Sequence, residues 1–225
     1  MKYEIKGDSF PVLICTLNTG ETMVSESGAM SWMSPGINMD TSTGGGLLKG
    51  IGRALSGESI FLNYFTANSD NQQIAFCSSF AGSIIPYEIS PGKELIAQKR
   101  AFISGTPGVD INIHFQKKFS AGFFGGEGFI LQRFSGNGIV FLEIDGSIME
   151  YDLAPGQSLL IDQGNLAAME QSVSFDIETI KGLKNVFFGG EGMFIGRLTG
   201  PGKVWLQTMP VSKLANMILS HMPSK

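Results

Sequence analysis

The 225-residue chain reads as an all-β protein of three internal repeats, double-stranded β-helix or β-sandwich in type, arranged with pseudo-threefold symmetry and ending in a short helix. Three observations lead there. The hexapeptide Phe-Phe-Gly-Gly-Glu-Gly stands at 123–128 and again at 187–192, and between 123–142 and 187–206 11 of 20 positions are identical without a gap. An independent stretch, 82–92, aligns with 146–156 at the same offset of 64 residues, so two full units are in register. Proline-glycine pairs punctuate the chain at Pro35, Pro91, Pro107, Pro155 and Pro201. Pro at i+1 with Gly at i+2 is what a type II turn demands, and turns this regular imply many short strands. A fixed internal period is the signature of a repeat architecture.

The first unit, 1–81, is the most diverged. Its β-branched and aromatic run at 10–17 ends at Asn18-Thr19-Gly20 and predicts the first strand with its turn. Gly20 plays the part of Gly92 and Gly156, and Leu55-Ser56-Gly57-Glu58-Ser59 answers the hexapeptides. The stretch 43–55 breaks the β pattern, with Leu47, Leu48, Ile51, Ala54 and Leu55 at helical spacing and Lys49 and Arg53 between them. Its glycines each cost about 1 kcal/mol of helix stability, so a mobile loop or a weak helix is expected.

In the second unit, 82–145, Val140, Leu142 and Ile144 alternate with Phe141, Glu143 and Asp145 before Asp145-Gly146, which predicts a hairpin into Ile148. The third unit is 146–210. The tail, 211–225, places Val211, Leu214, Ala215, Ile218 and Met222 on one face and stops before Pro223. It predicts an amphipathic helix packed on the β body.

The run from the second hexapeptide through Arg197, Gly200-x-Gly202 and Val204-Trp205-Leu206, together with Leu-Ser-Gly-Glu-Ser-Ile-Phe-Leu at 55–62, resembles the altered inheritance of mitochondria twenty-four family over nearly the whole chain. The resemblance implies a fold likened to the tryptophan RNA-binding attenuation protein, with three double-stranded β-helix units per chain and chains associating in threes into a nine-unit ring. It implies fold and assembly more than an activity. The mitochondrial member is tied to inner-membrane organisation, but no mitochondrial targeting segment is seen here, so that role is not carried over.

Bulk properties narrow the function. A net charge of −4 disfavours nucleic acid, whose non-specific binders cluster Lys and Arg. Lys117-Lys118 and Lys99-Arg100 have no equivalents in the third unit. Cys15 and Cys77 stand in apolar or small-residue segments without metal-ligand spacing and are expected as buried thiols in a reducing compartment. No run reaches the ~18 apolar residues of a membrane span, so a soluble, cytoplasmic protein is expected, with a peripheral membrane contact as an open alternative. His114 and His221 are the only histidines, too few for cupin-type metal chemistry. His114 is expected on the outer face of an alternating strand. No catalytic residue, cofactor or metal is expected.

Three sets of residues remain. Glu58, Glu127 and Glu191 each sit in a glycine turn before an apolar strand, where a carboxylate can take open backbone N–H groups; a structural role is expected, with a binding site as the alternative. Arg133 and Arg197 recur with Tyr64 on one face of equivalent strands and, with Phe124, Phe188 and Trp205, are candidates for an interface; a solvated face or a local pair with a glutamate is the alternative. Leu47, Leu48, Ile51 and Leu55 are candidates for a membrane or partner contact, with packing at a subunit seam as the alternative. The expected function is a non-catalytic, ring-forming scaffold or binding protein working as a homotrimer. A ligand- or RNA-binding ring is the alternative, and a cupin-like enzyme the least favoured reading.

Overall fold

The computed structural model describes residues 1–42, 62–117, 128–179 and 194–222. Strands dominate. In chain order they are β1 (Lys2–Lys6), β2 (Val12–Leu17), β3 (Thr22–Glu26), β4 (Met30–Met33), β5 (Ile37–Ser42), β6 (Leu62–Ala67) and β7 (Gln72–Cys77). There follow β8 (Gly82–Ile89), β9 (Leu95–Gln98), β10 (Phe102–Gly105), β11 (Val109–Lys117), β12 (Phe129–Gly136) and β13 (Gly138–Asp145). The last set is β14 (Ile148–Leu153), β15 (Ser158–Ile161), β16 (Leu166–Glu170), β17 (Ser174–Thr179), β18 (Phe194–Thr199) and β19 (Gly202–Gln207), before α1 (Val211–Ser220). No helix among the described residues is long and apolar enough to cross a membrane.

The strands form four sheets, ordered β1-β2-β7-β4, β5-β6-β3-β10-β13-β8, β11-β12-β9-β16-β19-β14 and β15-β18-β17. Alternation along each strand gives a middle sheet two apolar faces, so the sheets stack and share cores. Leu13, Ile74 and Phe76 of the first sheet meet Met23, Phe65 and Phe141 of the second. Val24, Val140 and Leu142 of the second meet Leu95, Phe134 and Trp205 of the third. Ile96, Leu131 and Val204 of the third meet Leu159, Ile161 and Leu198 of the fourth.

The pairing has a pattern. β7 lies between β2 and β4, and β6 between β3 and β5. In the same places β13 lies between β8 and β10, and β12 between β9 and β11. So do β19 between β14 and β16, and β18 between β15 and β17. Even an irregularity recurs: the register slips between Met30 and Trp32, between Phe102 and Ser104, and between Leu166 and Ala168. Two further pairings stitch these groups together, β3 to β10 and β9 to β16.

Several expectations change. Gly146 turns the chain with φ of +75°, but no hairpin forms, because β13 pairs with β8 and β10 whereas β14 pairs with β19. A strand not anticipated, β1, precedes the expected first strand and covers the edge of β2. Gly92 and Gly156 take φ of +82° and +77° as type II turns require, and Gly20 takes +81°. Gly36 and Gly108 lie outside that region; at Gly108 an added Cβ would stand 2.2 Å from the Asn137 carbonyl oxygen, so close approach is the reason for glycine there. Cys15 is buried, but Cys77 is exposed. The helix is present, yet it does not lie down on the β body. Asp145 Oδ2 accepts the Val211 N–H at 2.8 Å and ties down the first turn, while Ile218 and Met222 stay exposed.

Glutamate and glutamine hold the passages between groups. Glu143, only 7 % exposed, accepts from Ser79 N (3.0 Å), Ser79 Oγ (2.6 Å) and Phe80 N (3.1 Å), where β7 gives way to β8. Gln207 accepts from Asp145 N (3.1 Å), where β13 gives way to β14.

Candidate functional site

Of the residues singled out in the sequence, Glu58, Glu127, Glu191, Phe124, Phe188, Leu47, Leu48, Ile51 and Leu55 lie outside the described residues. Tyr64, Arg133 and Arg197 are described, and they stand at matching places, opposite Val24, Ile96 and Leu160. Both arginines have local carboxylate partners. Arg133 Nη1 reaches Glu94 Oε2 at 3.4 Å, and its Nη2 lies 3.4 Å from His114 Nδ1. Arg197 grips Glu178 through Nε (2.5 Å) and Nη2 (3.1 Å). That hydrogen bonding and the opposite charge raise the guanidinium pKa and lower the carboxyl one. His114 is exposed, on the outward face expected of it.

Trp205 is 6 % exposed and sits in the core between the second and third sheets. Its ring stands edge-on to Tyr87, centroids 5.6 Å apart, and Nε1 donates to Glu150 at 3.1 Å. The seam it fills lies within the chain.

Two features went unnoticed in the sequence. The first is a pair of strands that lie at sheet edges where their counterparts do not. Among the described residues β4 is hydrogen-bonded on one side, to β7, and β15 on one side, to β18. Their counterparts β10, β16, β3 and β9 are paired on both sides. On the two edge strands stand Trp32, 52 % exposed, and Leu160, 49 % exposed. The signal for Trp32 was a swapped pair. Ser104 faces Phe141 and Ala168 faces Trp205, small against large, whereas Trp32 faces Ala75, large against small.

The second is a cleft of about 340 Å³ beside β15, with Met149, Tyr151, Ile161 and Leu206 as its apolar lining and Asp162 and Asn165 among its polar residues. The polar groups are already engaged. Asp162 Oδ1 accepts from Gly164 N at 3.0 Å, and Asn165 Nδ2 donates to the Gln207 carbonyl at 2.6 Å. What the cleft offers is therefore chiefly contact area. Among the described residues no three His, Cys, Asp or Glu side chains come together as a metal site. The Cys15 thiol, which burial pushes up to about 12, is the reverse of an activated nucleophile.

The model of a protein family described as mitochondrial biogenesis AIM24 matches residues 3–209. The chain is also similar to the X-ray structure of a Streptococcus pyogenes protein, with a TM-score of 0.79 and 21 % identity over 98 % of this chain and 99 % of that one. That likeness concerns the fold. No curated protein matches in sequence.

Proposed function

For a chain that belongs to the mitochondrial biogenesis AIM24 family, we propose the role of a non-catalytic scaffold, a ring-forming protein that presents a repeated β surface to a partner. In this reading the chain comprises three units of double-stranded β-helix type, 1–81, 82–145 and 146–210, related by pseudo-threefold symmetry, with α1 as an appendage. Three chains close a homotrimeric ring of nine units.

One observation carries the proposal. The second and third sheets each join three strands of one group to three of the next, β5-β6-β3 to β10-β13-β8 and β11-β12-β9 to β16-β19-β14. The outer sheets hold the two halves of such a sheet apart, β4-β7-β2 at one end, with β1 added beyond β2, and β15-β18-β17 at the other. Setting β15 of one chain beside β4 of the next gives β17-β18-β15-β4-β7-β2, the order of the inner sheets. An open edge is a template for pairing, and a head-to-tail contact of this kind repeats until its rotation closes. Closure at three is what the family resemblance implies. A cytoplasmic place and a peripheral contact, with a membrane or a protein, belong to the same reading, and the exposed Met217, Ile218 and Leu219 of α1 support such a contact.

Light scattering coupled to size exclusion tests the assembly. Three chains of 24.2 kDa give about 73 kDa, held over a wide range of loading. A single-chain mass at high concentration would end the ring reading.

A further inference from the structure

We infer, resting on the ring reading, that the cleft beside β15 is the socket for Trp32 of the next copy of the chain. Register comes first. Where β3 meets β10, Ser25 faces Ser104 and Val24 faces Gly105; where β9 meets β16, Ala97 faces Ala168 and Ile96 faces Met169. Ser25 and Ala97 each lie five residues beyond a left-handed glycine, Gly20 and Gly92, and the residue five beyond Gly156 is Ile161. On the other side, Ser104 and Ala168 each follow the register slip in their strands, and the residue in that place in β4 is Trp32. The same register sets Trp32 of one copy opposite Ile161 of the other, and Met33 opposite Leu160.

Direction follows from the faces. Ala168 and Trp205 share the face of the third sheet that looks back into the core with the second, where Tyr87 and Leu142 receive them. In the next layer along, the residues in the places of Tyr87 and Leu142 are Tyr151 and Leu206, and these line the cleft. In the places of Ala168 and Trp205 are Trp32 and Ala75. At the junction between copies the large side chain has moved from the β7 position to the β4 edge, so an indole arrives over Leu206 and beside Ile161. Volume is kept while its position shifts by one strand. The exchange also explains the exposures: the counterparts Ser104 and Ala168 are 0 % exposed, whereas Trp32 is left bare until another copy covers it. The indole N–H meets the polar side of the cleft, where Asp162 and Asn165 lie.

The test uses full-length protein with Trp205→Phe, the aromatic that its counterpart Phe141 already carries, leaving Trp32 as the single indole. The expected result is a multi-chain mass together with blue-shifted emission and acrylamide quenching several-fold weaker than in urea. Trp32→Ser, matching Ser104, and Tyr151→Asp, at a cleft-lining residue 41 % exposed, should each keep the β circular dichroism spectrum and raise the subunit dissociation constant roughly thirty-fold or more, the loss of a buried aromatic anchor. A multi-chain mass with Trp32 quenched as freely as in urea overturns the socket and leaves the ring standing. A single-chain mass for the unaltered protein overturns the ring. An unchanged dissociation constant in both variants overturns the socket from either side.

Discussion

Removing the Glu143 carboxylate is the sharpest probe of how the layers are joined. Glu143→Ala deletes three hydrogen bonds to the 78–81 passage, one of them only 2.6 Å long. Hydrogen bonds to a charged group contribute about 1.5–3 kcal/mol each. The sum is smaller than three times that, because the variant no longer bears the desolvation cost of burying the carboxylate and Ser79 is exposed enough for its donors to find water. A net loss of about 2–4 kcal/mol remains, and at ~2–4 °C per kcal/mol for a chain of this size the melting temperature should fall by roughly 5–15 °C. Glu143→Gln keeps one acceptor oxygen and should fall between parent and alanine variant. Circular dichroism melts at equal protein concentration give the comparison. An alanine variant melting within about 2 °C of the parent would refute the idea that this carboxylate holds the first sheet to the second.

Two further outcomes test the fold at single residues. Gly156→Ala should cost ~1–2 kcal/mol by backbone strain alone, since φ is +77° and no atom lies within 4 Å of the added Cβ; an unaltered melt would mean the turn is not left-handed. Asp145 is the pH probe, because burial raises its pKa above the ordinary 3.8 despite the N–H of Val211. The folded chain therefore keeps that proton to higher pH than the unfolded one, so the contribution to stability falls as pH rises from 3.8 through the raised value and stays lost above it. Asp145→Asn still accepts from Val211 and lacks this loss, so the melting temperature of variant minus parent should grow between pH 3 and pH 7; a flat difference would count against the burial argument.

Much of this arrangement was legible in the chain, for local reasons. The left-handed turns at Gly20, Gly92 and Gly156 follow from residue chemistry, and the common position of Tyr64, Arg133 and Arg197 follows from aligning the hexapeptides. The Asp145-Gly146 turn was read as a hairpin because alternation and turn type say where a chain reverses, and nothing local says which strand it then meets. β14 finds β19, whose paired residues lie 49 to 59 positions on. Trp32 stayed hidden for a related reason. Its meaning lies in the exchange with Ala75, and that pair appears only once β4 and β7 are known to be neighbours. The helix misled through its amphipathicity, which shows that a face wants cover without showing that the chain's own sheets supply it.

The stitching of β3 to β10 bears on how the chain emerges from a ribosome. The first core is closed by Ile84, Ile103 and Phe141, so a nascent chain that has just completed β7 holds Leu13, Phe65 and Phe76 with their lid not yet made. One edge of β3 likewise waits for β10, some eighty residues later. Such long-range pairing slows folding and leaves sticky strands in the open during synthesis. A fragment ending near residue 81 therefore keeps β2 and β7 facing β3 and β6, but lacks Ile84, Ile103 and Phe141 from its core and leaves one edge of β3 without β10.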